Sequence, residues 1–142
     1  MAANTAPIYT LAPDIQWISG VTAANTNANI SSGTSYLVFT ADATNGGFCR
    51  EIRFKVAPGN NSSATVLRVW LNNGSSPTTG ANNTLLAEVG LPSTTATSTA
   101  ALPDFVIPIN MALPAGYKLY VSLGTGLGSS TDGFATAIAG KY

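Results

Sequence analysis

Phe48-Cys49-Arg50-Glu51-Ile52-Arg53-Phe54-Lys55-Val56 and, beyond the polar connection 57–63, Thr65-Val66-Leu67-Arg68-Val69-Trp70-Leu71-Asn72 are the two runs that decide the fold reading. In the first, Phe48, Ile52, Phe54 and Val56 share one parity and Cys49, Glu51, Arg53 and Lys55 the other, the period-two alternation of a half-buried strand, with Arg50 as the one misfit. In the second, Thr65, Leu67, Val69 and Leu71 alternate with Val66, Arg68, Trp70 and Asn72. Asn72-Asn73-Gly74 then supplies turn chemistry. The pattern predicts two neighbouring strands with one charged outer face, on which Glu51 and Arg68 lie together and Trp70, sharing the parity of Arg68, is exposed. Four of the six basic residues, Arg50, Arg53, Lys55 and Arg68, sit in this stretch.

Working outward, the same signature repeats. Residues 14–21 read as a strand containing Trp17, and 22–34 as a polar loop. The continuous apolar run Tyr36-Leu37-Val38-Phe39 within 35–41 predicts a strand buried on both sides or lying at a sheet edge under a loop. Further strands are expected at 85–91, around Phe105, Ile107 and Ile109, at 117–123 and at 134–138. Pro108 marks an edge or a bulge, because proline has no N–H to give to a ladder. The stretches 73–84, 92–101 and 124–133 read as loops. About eight short strands with turn signals between them, and no helical periodicity of normal length, predict an all-β, single-domain antiparallel β-sandwich, a jelly roll.

Residues 1–13 read separately, as an extended N-terminal arm preceding a sandwich domain at 14–142. They carry no charge, hold Pro7 and Pro13, and present Ile8, Tyr9 and Leu11. Such an arm lies either on its own domain or on a neighbour; the expectation is a neighbouring subunit or another protein.

Composition narrows the chemistry. A chain of 142 residues fits one domain that buries roughly 68–70% of its unfolded surface without a covalent staple. Charged residues make up 8% of the chain, six acids against six bases, where about 25% is usual. That balance gives no footprint for nucleic acid, and association is expected through shape and apolar area. The start of the chain has neither a basic nor an apolar leader pattern, and no run reaches the ~18 apolar residues of a membrane span, so synthesis in a cytoplasm with no membrane partner is expected.

There is no histidine, which removes the commonest general base and metal ligand. Asp14, Asp42, Glu51, Glu88, Asp104 and Asp132 show no facing pair of the glycosidase kind. Asp42-Ala43-Thr44-Asn45-Gly46-Gly47 has oxygen donors but lacks the acidic ligands of a calcium loop, and reads as a turn. Cys49, the only cysteine, reads as a small buried or half-buried hydrophobe. The reading is therefore non-enzymatic and without cofactor or metal. Trp17, Trp70, Tyr36, Tyr117 and Tyr120 are either packing residues or rings on which a sugar stacks. From the chain's own pattern, the candidate interface residues are Ile8, Tyr9, Leu11, Arg50, Arg53, Arg68 and Trp70.

Several stretches together resemble a widespread family of small virion proteins of tailed bacteriophages, over nearly the whole chain. They are Asn4-Thr5-Ala6-Pro7, Val38-Phe39-Thr40-Ala41 with Asn45-Gly46-Gly47, Arg50-Glu51-Ile52-Arg53-Phe54, Arg68-Val69-Trp70-Leu71-Asn72-Asn73-Gly74, Leu86-Ala87-Glu88-Val89, Leu113-Pro114-Ala115-Gly116-Tyr117 and Gly140-Lys141-Tyr142. The resemblance implies a jelly-roll capsid decoration (cement) protein, a homotrimer in the virion whose partner is the major capsid protein or another virion protein. A tail-fibre or receptor-binding, carbohydrate-binding module is the alternative it leaves open.

Overall fold

Strands with one apolar and one polar face bury the apolar one by stacking, and the computed structural model, which describes residues 10–128 and 130–142, shows how. Eight strands run in chain order: β1 (Ala12–Ile18), β2 (Tyr36–Thr40), β3 (Gly47–Val56), β4 (Thr65–Asn72), β5 (Asn83–Leu91), β6 (Asp104–Leu113), β7 (Lys118–Leu123) and β8 (Gly133–Lys141). They form two antiparallel four-stranded sheets, ordered β1-β8-β3-β6 and β2-β7-β4-β5. Only β4 and β5 are neighbours both in sequence and in a sheet. Every other connection crosses between the sheets, which is the jelly roll.

The core lies between the sheets. From the first come Cys49, Ile52, Phe54 and Ile107, from the second Phe39, Leu67, Val69, Leu119, Val121 and Leu123, all fully or almost fully buried. β8 contributes small residues to it, Ala135 and Ala137. Phe54 needs that room: a Cβ on Gly133 would stand 2.6 Å from its ring.

Two expectations about the central stretch are corrected. β3 and β4 are not neighbours but lie in different sheets, so Glu51 and Arg68 sit on opposite outer surfaces of the sandwich. Alternation reports that a strand has a core-facing side. It is the same whether two such strands lie edge to edge or face to face. The second correction is parity: Cys49 faces the core with Ile52, Phe54 and Val56, while half-buried Phe48 falls on the other side. Arg50 is the cause. Cys49 pairs with Ala139 and Glu51 with the very next residue of β8, Ile138, leaving Arg50 as the extra residue of a β-bulge that flips everything before it. The partner β6 is also irregular there, with Pro108 opposite Glu51 and Asn110 at φ 45°. Pro108 is thus on an edge strand and at a bulge, where its missing donor costs nothing to the ladder.

The β1 and β2 edges meet at one corner. Gln16 spans the gap: its Nε2 donates to the Thr40 carbonyl and its Oε1 accepts from the Thr40 N–H, both at 2.9 Å. One side-chain amide there does what a strand neighbour does. β1 includes residues 12 and 13, the last two of the stretch read as an arm, with Pro13 on the edge strand. Residues 1–9, including Ile8 and Tyr9, lie outside the described residues.

Candidate functional site: the two outer faces of the sandwich

The outer face of the second sheet is occupied by its own loop. Polar residues 22–34 between β1 and β2 need partners for their backbone, and Asn25, buried, supplies them. Its Nδ2 donates to the carbonyls of Ser32 (3.1 Å) and Thr34 (3.0 Å), and its Oδ1 accepts from the backbone and side-chain amides of Asn27 (3.0 and 3.1 Å). The hydroxyl of Tyr36 accepts from the N–H groups of Thr22 and Ala23. Held this way, the loop carries Ile30 over Trp70 and Tyr120, a second apolar cluster outside the sandwich core. Trp70, read from parity as exposed, is 3% exposed. It does lie on the outer face, as its parity requires, but under a cover that strand periodicity does not reveal. Its Nε1 donates to buried Ser122 at 2.9 Å, and burial pushes the Tyr120 hydroxyl pKa up.

Arg68 closes the margin of this cluster. Its Nε lies 2.7 Å from Glu88 Oε1 on β5, directly opposite in register, and its Nη1 donates to the Asn25 carbonyl at 3.3 Å. The pair is partly exposed, so its electrostatic contribution is about 0–1 kcal/mol, and its main effect is on register and loop position.

Among the described residues no loop covers the outer face of the first sheet, which is laid out in rows. Trp17, Thr136, Arg53 and Val106 form one cross-strand row, and Ile15, Ile138, Glu51 and Pro108 the next. β1 is inverted relative to an ordinary edge: Pro13, Ile15 and Trp17 point outward while Asp14 and Gln16 are half-buried. Trp17 is 71% exposed, Leu11 73%, Ile15 52%, Val106 46% and Phe134 39%. On the β3 and β6 half, Glu51 accepts from Arg50 (3.1 Å) and Arg53 (3.3 Å), and Arg53 also faces Asp104 at 3.8 Å. A shallow groove of about 410 Å³ runs between Arg53, Lys55, Asp104, Phe134 and Thr136.

The candidate interface residues are therefore divided. Leu11, Arg50 and Arg53 belong to the first outer face, Arg68 and Trp70 to the second. What sequence reading missed is Ile15, Val106 and Phe134, whose outward direction depends on which parity faces the core. For β1 the signal was available: the polar pair Asp14 and Gln16 has the opposite parity to Ile15 and Trp17.

Five of the six acids have side-chain partners: Glu51, Glu88 and Asp104 the arginines already named, Asp14 and Asp42 amides. Asp42 Oδ1 accepts from the N–H groups of Thr44 (2.9 Å) and Asn45 (2.8 Å), which lowers its pKa and makes the stretch a turn, as expected. Asp14 accepts from Gln16 Nε2. Among the described residues no three His, Cys, Asp or Glu side chains gather as a metal-binding group, and no helix is long and apolar enough to cross a membrane.

A scan against protein-family models finds no match, and no curated protein matches. Among solved structures, the chain is similar to one of infectious bursal disease virus Gt strain, at 14% identity and a TM-score of 0.30, over 93% of this chain and 34% of that one. A structure of the Gx strain of the same virus is similar at 14% identity and a TM-score of 0.28, over 91% and 33%. The chain thus spans about a third of the length of the chains it matches.

Proposed function

We propose that this protein is a virion structural component that decorates a capsid, binding where subunits meet and stabilising the shell. The observation that carries the reading is where the phage-like stretches fall in the fold. Asn45-Gly46-Gly47 leads into β3, Arg68 to Gly74 takes in the later part of β4 and the turn that Asn72 closes through Gly74 N–H, and Leu113-Pro114-Ala115-Gly116-Tyr117 joins β6 to β7. They are framework positions, which fits a protein whose task is to hold a shape. An open apolar face beside mixed charge fits the same task.

The mechanism is mass action: a protein that binds the assembled lattice and not its free subunits stabilises the lattice in proportion to occupancy. Several weak contacts made by one oligomer act together through effective concentration. Co-sedimentation with emptied capsids tests the reading. Binding that survives molar sodium chloride is expected, since exposed charges are screened within about 8 Å already at physiological ionic strength. Failure to co-sediment, together with glycan binding by the isolated protein, would instead establish the carbohydrate-binding alternative.

A further inference from the structure

We infer that the open face of the first sheet, centred on Ile15 and Trp17 of β1, is a self-association surface whose occupant is a second copy of this chain. The inference does not rest on the capsid assignment.

The apolar area is the first ground. Leu11, Pro13, Ile15 and Trp17, successive outward residues at and just before β1, present on the order of 400 Å² of contiguous apolar surface, the size of the largest patch on a monomer, while Val106 and Phe134 lie on the same face beyond Thr136, Arg53 and Lys55. A standard interface takes ~800 Å² per partner, so half-buried Ile138 and the polar and charged residues of the same face complete the contact around this apolar centre.

Charge is the second ground. The same face carries Glu51 and Asp104 interleaved with Arg50, Arg53 and Lys55, three bases to two acids. A strongly charged partner has nothing here to match, whereas an identical face brings both signs. The third ground is the face that β1 leaves uncovered. Among the described residues β1 has β8 on one side and, on the other, the β2 edge, to which Gln16 ties it at Thr40. Edge strands are ordinarily blunted by lysine, proline, bulges or a covering loop. β6 has Pro108 and the bulge, and β2 is short and tied to Gln16. β1 is closed at its edge by the same Gln16 tie and by Pro13 at its start, but its outward face displays Ile15 and Trp17. A copy related by a twofold axis sets this face against itself, the arrangement in which one self-complementary patch satisfies both partners.

Sedimentation equilibrium of the full chain across a wide concentration range tests this. The wild type is expected to associate reversibly, and Trp17→Glu and Ile15→Lys each to weaken association by roughly thirtyfold or more, the scale of a buried aromatic or aliphatic anchor. Both residues are exposed, so the variants should keep the wild-type circular dichroism spectrum. Leu85→Lys, on β5 of the other sheet, should associate like the wild type. Acrylamide quenching gives an independent reading: Trp17 should lose accessibility as wild-type concentration rises, while Trp70 stays shielded throughout. A wild type that is monomeric at every concentration overturns the inference. So does association that Trp17→Glu leaves unchanged, which puts the contact elsewhere. A monomer that begins to associate once residues 2–9 are deleted overturns it too, by making the chain's own N-terminal segment the occupant.

Discussion

Cys49 faces the core because of one neighbour. Without the bulge at Arg50 the thiol is on the outer face with Glu51 and Arg53; with it, the thiol is fully buried beside Ile52 and Phe54. Burial pushes its pKa up from 9.0 to about 12, more than a backbone hydrogen bond with Glu51 lowers it. The native protein should therefore resist thiol reagents at about pH 8 and react only as it unfolds, which labelling with and without denaturant measures. The linkage sign follows from the raised value. Stability tied to the neutral thiol is intact below the unfolded pKa of 9.0 and is lost as pH rises towards about 12. Denaturation midpoints of wild type and Cys49→Ala should run parallel up to pH 9.0 and converge or cross above it. Sequence reading had the burial right and the face wrong, since a one-residue bulge leaves no mark on composition and Arg50 as a misfit does not say which side of it shifts.

At the scale of elements, the loop 22–34 behaves as part of the second sheet. Every hydrogen-bonding group of the Asn25 side chain is used, two donors on carbonyls and two lone pairs on Asn27. Asn25→Asp removes both donors and turns a carboxylate towards the Ser32 and Thr34 carbonyls. It should cost about 1–3 kcal/mol or more and release Ile30 from Trp70. Circular dichroism should stay native while Trp70 becomes open to acrylamide; unchanged quenching would mean that the sheet alone shields the indole. The strands were legible because each has an apolar face, and their ends were read to within a few residues. The cover over Trp70 was not legible, because a loop rich in Asn, Ser and Thr gives no periodicity, and its two buried anchors, Asn25 and the lone Ile30, form no pattern.

For the whole molecule, class and strand count could be read from the sequence but strand order could not, because alternation encodes a face and not a neighbour. That order has a kinetic meaning. β1 pairs with β8, β3 with β6 and β8, β2 with β7, and only β4 with β5 closes locally. Folding should be on the millisecond-to-second scale of non-local β topologies, as stopped-flow fluorescence of Trp70 would read it; a microsecond phase carrying most of the amplitude would contradict that. Central β8 sets the schedule during synthesis as well. From Ile18, the end of β1, to Gly133, the start of β8, the ribosome adds 115 residues (133 − 18 = 115). At about 5–20 residues per second that takes roughly 6–23 s. Through that interval β1, joined by β3 once Val56 is made, lacks the strand that links the two, and Ile15 and Trp17 are offered to whatever else is nearby. β4 and β5 meet almost as soon as β5 emerges. The second sheet therefore has a head start, and the first waits for β8.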